Sequence, residues 1–315
     1  MKILVTGGAG YVGHRLIPML LDDGHEVIVY DLMIFGCYFE PNKRLAVVKG
    51  DIRDIATLKG YMSGCYAVIH LACISNDPSC DLDENLTTSI NLLAFDPIVK
   101  AAKESGVKRF INASSSSVYG VKDEIKVTED LTCEPLTLYS KYKLECEKML
   151  SEYHDDNFQT VSVRSATVFG YSPRMRFDTV LNMFCLHAHD GHITVHGGHQ
   201  VRPLVHIKDL AGFYVHLLYP KLDGESYNYG LENISLIDLA AKIKNDFLIK
   251  SESADNRSYR IESWKSRQTF GIYPETSLED GIGEVQKSLS RGYYINPDKN
   301  SLYYNVKRMK EIGLT

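Results

Sequence analysis

Short, nearly unbroken apolar runs punctuate the first half of the chain. Ile3–Val5, Glu26–Tyr30, Leu45–Lys49, Ala67–Leu71, Arg109–Asn112 and Thr160–Arg164 are rich in β-branched and aromatic residues and predict strands. Between them, apolar residues spaced three and four apart predict helices over 11–21, 85–104 and 139–153. Strands that lack polar alternation are covered on both faces, and the intervening helices supply the cover. The pattern is that of an α/β fold with a Rossmann-type doubly wound parallel sheet. After about residue 170 the rhythm changes: helical spacing near 178–190, 207–219 and 235–247 is joined by irregular, aromatic loops containing Gly and Pro. We therefore expect a dinucleotide-binding domain over 1–170 and a smaller mixed α/β substrate lobe over 171–315, with parts of the two free to interleave. The Tyr- and Asn-rich stretch from about Ser290 reads as a surface appendage.

The first candidate chemistry lies between the first strand and the first helix, in Thr6-Gly7-Gly8-Ala9-Gly10-Tyr11-Val12-Gly13. Glycines at 7, 10 and 13 allow a tight turn and a close backbone approach, and they leave a helix N-terminus open to a diphosphate. Gly7, Gly10, Tyr11, Val12 and Gly13 are accordingly read as cofactor-binding. Asp31 closes the second strand, where a carboxylate accepts both ribose hydroxyls and repels a 2′-phosphate, so NAD is expected rather than NADP. Asp51 and Ile52, after the third strand, stand where an adenine edge would lie.

The second candidate is Tyr139-Ser140-Lys141-Tyr142-Lys143, in which Tyr139 and Lys143 share one helical face. An ammonium beside a phenol favours the phenolate, making Tyr139 an acid/base candidate with its pKa drawn down toward neutrality. The serine run 114–117 follows the fifth strand and supplies hydroxyls for a substrate oxygen.

Bulk properties narrow the field. The 315 residues include 35 Lys and Arg against 40 Asp and Glu, a formal charge of -5 that argues against general nucleic-acid binding. Seven scattered cysteines without a C-x-x-C pair fit reduced thiols and a cytoplasmic setting. No run reaches the roughly 18 apolar residues of a membrane span. The histidines at 187, 189, 192, 196 and 199 lack metal-ligand spacing, so no metal is expected.

Taken together, TGGAGYVG at 6–13, Asp31, GDI at 50–52, HLA at 70–72, Asn91, SSSSVYG at 114–120, YSKYK at 139–143, VRSATVFG at 163–170 and VRPLVHIKDLA at 201–211 resemble the extended short-chain dehydrogenases of the NAD-dependent epimerase/dehydratase family. The resemblance spans roughly residues 1 to 285 and implies NAD as cofactor and a nucleotide-diphosphate sugar as substrate. It implies that Tyr139 exchanges the proton of a sugar hydroxyl, that Lys143 holds the nicotinamide ribose, and that Ser115 is the family's catalytic serine. By the same resemblance Leu71, Ala72 and Asn91 lie beside the cofactor. Ser115, Ser116, Thr167, Arg174, Asn182, Arg202 and Arg257 would face the substrate, with Arg176 also within reach of phosphate. Arginine suits that task because its planar fork donates bidentately.

Family dehydratases carry acidic residues after the catalytic serine or threonine; Ser116 and Ser117 stand there and cannot serve as acid and base near neutral pH. Ser117 also replaces the cysteine of relatives that epimerise C3 and C5. The expectation is therefore a nucleotide-sugar 4-epimerase. A C4 oxidase or 4-keto reductase is the alternative, since Thr167 stands where many 4-epimerases have asparagine. A non-catalytic NAD-binding sensor on the same fold is the rival of another class, and a reductase of small carbonyl compounds is a further one. The family commonly forms homodimers by pairing the helices near 85–104 and 139–153 into a four-helix bundle.

Overall fold

The computed structural model describes residues 1–250 and 258–314. Its first half runs β1 (Lys2–Thr6), α1 (Gly13–Asp22), β2 (Glu26–Asp31), β3 (Leu45–Lys49), α2 (Ile55–Met62) and β4 (Ala67–His70). It continues through α3 (Asp77–Cys80), α4 (Glu84–Thr88), α5 (Phe95–Glu104), β5 (Arg109–Ser115), α6 (Leu138–Glu152) and β6 (Gln159–Ser165). The second half adds β7 (Thr167–Phe169), α7 (Val180–Asp190), β8 (Ile193–His196), β9 (Val201–His206), α8 (Ile207–His216), β10 (Ser226–Tyr229) and β11 (Glu232–Ser235). It closes with α9 (Leu236–Ile243), β12 (Phe247–Lys250), α10 (Trp264–Phe270), α11 (Leu278–Ser290) and α12 (Asn305–Glu311).

Seven parallel strands in the order β10-β6-β5-β4-β1-β2-β3 make the main sheet. Alternation along β1 shows why the apolar runs read as doubly buried. Ile3 and Val5 enter one core with Leu16 and Ile17 of α1 and Phe213 of α8, while Leu4 enters the opposite core with Leu58 of α2 and Ile98 of α5. The edge strand β3 is the exception, with Val47 41% exposed.

The helix expected over 85–104 is not continuous. A wide π turn over Ser89–Leu93 separates α4 from α5, just ahead of Pro97, which has no N–H to return to the carbonyl of Leu93. The turn swings Leu93 out of the core to 64% exposure, whereas Leu86 and Ile90 stay half-buried.

The two halves of the chain are interleaved. β10 pairs with β6 at the edge of the main sheet, and α8 packs on α1, so residues beyond 170 belong to the first layer. The rest of the second half surrounds its own core, in which Phe177, Leu181, Phe184, Leu239, Ile282 and Val285 meet. The stretch after Ser290 is no appendage. Tyr294 and Met309 are buried, Met309 against Ile74 and Cys80, and Arg308 Nε donates to Ile34 O at 2.6 Å.

Candidate active site

The crevice at the carboxyl ends of β1, β2, β4 and β5 gathers most of the residues singled out above. At β1 the backbone itself forms the site. Gly7 has φ +69°, and a Cβ there would stand 2.5 Å from Ala72 N; a Cβ on Gly13 would stand 2.0 Å from Gly8 O. No side chain caps α1 after Val12 and no acidic residue occupies its first turn, so no side-chain anion competes at its N-terminus. The cradle therefore fits a dinucleotide diphosphate. Asp31 shapes its rim, with Oδ2 accepting from Ala9 N at 3.0 Å and Oδ1 from Met33 N at 2.6 Å. Burial nevertheless raises its carboxyl above the ordinary value against those two amides.

His14 ties the glycine loop to the segment after β2. Nδ1 meets Gly10 O at 2.9 Å and Nε2 accepts from Tyr38 N at 3.0 Å, partners that assign the proton to Nδ1. Burial lowers His14 to about 4, which keeps it neutral.

At the other end of the crevice, α6 starts on a reciprocal cap in which Ser140 N donates to Thr137 Oγ1 at 3.2 Å and Thr137 N to Ser140 Oγ at 3.1 Å. This start presents Lys143 toward β5 and sets Tyr139 against Ile74, Cys80 and Met309. Lys143 Nζ donates to Ala113 O at 2.5 Å and lies 5.7 Å from the centre of the Tyr139 ring. One residue on from Ala113, Ser114 Oγ donates to Glu147, whose carboxylate also holds Arg164. Lys143 and Glu147, four residues apart, thus pin consecutive positions of β5. Ser115 comes next: its Oγ accepts from Ser117 N at 3.2 Å and from Ser117 Oγ at 2.9 Å, which leaves its own O–H undonated.

The electrostatics depart from the sequence expectation. Burial pushes the Tyr139 phenol above its ordinary value, and the Lys143 ammonium pulls it back only in part. Burial likewise works against the Lys143 charge, but the Cys73 thiol and the Tyr139 phenol facing it hold its proton above the ordinary range. The lysine effect has the sign read from the sequence; desolvation of a phenol set among Tyr214, Cys73 and Cys80 is larger. Cys73, half-buried beside this pair, had no signal in its spacing.

Other candidates are committed inside the protein. Tyr11 OH donates to Gly170 O at 2.6 Å and accepts from Asn182 Nδ2 at 2.9 Å, a staple between the two lobes. Asn182 also accepts from Gly170 N at 3.1 Å and is fully buried, so its amide braces the staple. Asn91 grips Ile74 through N (2.8 Å) and O (2.9 Å), holding the segment after Leu71 and Ala72 from behind. Ile52 is buried in the core, and the Asp51 carboxylate, lowered by its hydrogen bonds from Arg53, turns to that side chain at 2.6 Å. Ser116 is buried; Thr167 is half-buried in β7.

Arg202 is buried in β9 above the Tyr259 ring at 5.4 Å, and Arg257 lies outside the described residues. Arg174 and Arg176 are not solvated loop arginines. Arg176 pairs with Asp178 at 2.5 Å and is close enough to Tyr139 for each to shift the other's proton affinity, so the residue left at the margin of the sequence reading is the nearer to the phenol. Arg174 is buried on the Asp31 side, 3.9 Å above the Phe35 ring. Among the described residues, no helix is long and apolar enough to cross a membrane.

Comparison with known proteins agrees with this geometry. Residues 3–230 match the NAD dependent epimerase/dehydratase family. An uncharacterised UDP-glucose epimerase of Bacillus subtilis, YtcB, is 31% identical over 320 residues, spanning 93% of this chain and 99% of the relative. Among solved structures, DesIV, a dTDP-glucose 4,6-dehydratase of Streptomyces venezuelae with NAD bound, superposes with a TM-score of 0.84 at 24% identity, over 95% of this chain and 100% of its own. The UDP-glucose 4-epimerase of Thermotoga maritima gives the same TM-score of 0.84 at 22% identity, over 93% of this chain and 100% of its own. Identity that low carries the fold alone, and the two structures perform different chemistry on it. The crevice, the Tyr139–Lys143 pair and the sequence match lead to one conclusion: the chain belongs to the NAD-dependent epimerase/dehydratase family of enzymes, with NAD as its cofactor.

Proposed function

We propose that the protein is a nucleotide-sugar 4-epimerase acting through Ser115, Tyr139 and Lys143. The observation that carries this reading is the undonated Ser115 hydroxyl on a strand end that Lys143 and Glu147 hold in register with the helix bearing Tyr139. Ser115 donates to the sugar O4 and orients it, and Tyr139, once ionised beside the Lys143 ammonium, takes the O4 proton as the C4 hydride leaves. NAD, when bound, accepts that hydride and returns it. Lys143 favours the ionised Tyr139 oxygen that is ready to take the proton and would keep the cofactor ribose in place. After the 4-keto sugar turns over, hydride returns to the opposite face while Tyr139 gives the proton back, so C4 is inverted with no net redox change. No acid stands beside Ser115 to drive loss of water, which separates this reading from the dehydratases. Thr167, Arg202 and Arg257 are assigned to the sugar nucleotide.

The test is proton NMR of the protein with NAD and a panel of UDP-, GDP-, dTDP- and CDP-sugars, with absorbance followed for NADH. A C4 epimer without accumulating NADH is expected; a 4-keto product with matching NADH would make the protein an oxidase. A homodimer joined through α5 and α6 belongs to the same proposal, with exposed Leu93 beside that face. A monomer by light scattering would end the dimer proposal.

A further inference from the structure

The Arg174 guanidinium stands over the Phe35 ring, on the segment that follows Asp31 and β2. Its Nη2 donates to Asn305 Oδ1 at 2.7 Å, and Asn305 Nδ2 donates onward to Ser75 Oγ at 2.9 Å, on the segment that follows β4. β2 and β4 are the two neighbours of β1 in the sheet. The Arg174–Asn305 pair therefore spans the crevice above the glycine loop at the end of β1. Asn305 N also donates to Asp178 Oδ2 at 2.8 Å, and Arg308 anchors the same helix to Ile34, so the C-terminal segment is built into this bridge.

Neither the donors nor the charges of Arg174 are balanced within the protein. Of the five N–H groups a guanidinium carries, one on Nη2 meets Asn305 Oδ1, and Nε is buried without a partner. The nearby carboxylates are already engaged, Asp178 with Arg176 and Asp31 with the amides of Ala9 and Met33. Burial, and then the like charge of Arg176, hold Arg174 down to about 9. A buried cation with no anion in contact is costly unless a ligand supplies one.

We propose that Arg174 is the second lobe's contact for the diphosphate of the dinucleotide, aimed by Asn305, so that the C-terminal segment completes the cofactor site. The inference rests on NAD being the cofactor, and it moves Arg174 from the sugar-nucleotide side of the crevice to the cofactor side.

Calorimetric titration of nucleotide-free protein with NAD, ADP-ribose and UDP tests it. Arg174→Met is expected to weaken NAD and ADP-ribose by about tenfold or more and to flatten the salt dependence of ADP-ribose binding, with UDP little changed. Asn305→Asp removes the donors to Ser75 and places a competing carboxylate on the guanidinium; it is expected to weaken ADP-ribose more than UDP. Unchanged ADP-ribose affinity in both variants would overturn the proposal. Loss of UDP binding alone would also overturn it and return Arg174 to the sugar nucleotide. A wild-type protein that binds UDP but neither NAD nor ADP-ribose would remove the cofactor reading together with this one.

Discussion

The two ends of the crevice are built on opposite principles. At the glycine loop the site consists of backbone, and any side chain is an obstruction: a Cβ on Gly7 or Gly13 would overlap neighbouring backbone atoms. At the α6 end the site consists of side chains, and the backbone of β5 serves as their anchor through Ala113 O. The first end is therefore broken by adding atoms and the second by removing them. The difference also separates binding from chemistry. An anion cradle needs amides in the right place, whereas proton transfer needs one phenol with a tuned environment.

The largest effect should come from taking one oxygen from the chemical end. Tyr139→Phe is expected to lower turnover by roughly 10²- to 10⁴-fold while NAD affinity, read by titration, stays within about twofold of the wild type. Normal turnover would remove Tyr139 from the acid/base role. Next comes adding one carbon to the backbone end. Gly13→Ala should displace the loop from α1, cost about 1–3 kcal/mol of stability, and abolish NAD binding at concentrations that saturate the wild type. A variant that melted and bound NAD normally would show that the loop yields without loss.

The smallest effect concerns pH. His14 and His70 are held neutral by burial, lowered to about 4 and about 3 from 6.5. Between pH 6.5 and these values the unfolded chain binds more protons than the folded one, so stability falls as pH falls through that window, by about 1.4 kcal/mol per pH unit for each histidine. His14→Gln should remove one histidine's share from the slope of melting temperature against pH between 6.5 and 4.5. An unchanged slope would mean that protonated His14 is accommodated without breaking its bond from Tyr38 N.

The same contrast explains what was legible in the sequence. β1, β2, β4, β5 and β6 are apolar on both faces and declare themselves as runs. β10, Ser-Tyr-Asn-Tyr, is equally buried but carries polar groups satisfied by partners far along the chain: Ser226 by Glu147, and Asn228 by Tyr119 and the carbonyl of Val127. No local pattern announces such a strand, nor the three-residue β7. The glycine cradle was legible because only glycine fits it, and Tyr139 with Lys143 because helix geometry joins positions four apart. The internal partners of Asn91, Asn182 and Arg174 were not, because an amide or a guanidinium serves a ligand or a carbonyl equally well and tertiary contact decides. Asn305 was out of reach for the same reason, its partners Ser75 and Arg174 lying 230 and 131 residues away.

The pairing of β10 with β6 has a consequence for the birth of the protein. The sheet's last strand leaves the ribosome about 60 residues after its neighbour, a delay of roughly 3 to 12 seconds at bacterial and eukaryotic rates of synthesis. Through that interval the outer edge of β6 has no strand to pair with, and the Glu147–Arg164 pair lacks its Ser226 contact. A nascent chain stalled before Ser226 should consequently engage chaperones through that open edge, and release should coincide with synthesis of Tyr229 rather than with completion of the first 170 residues.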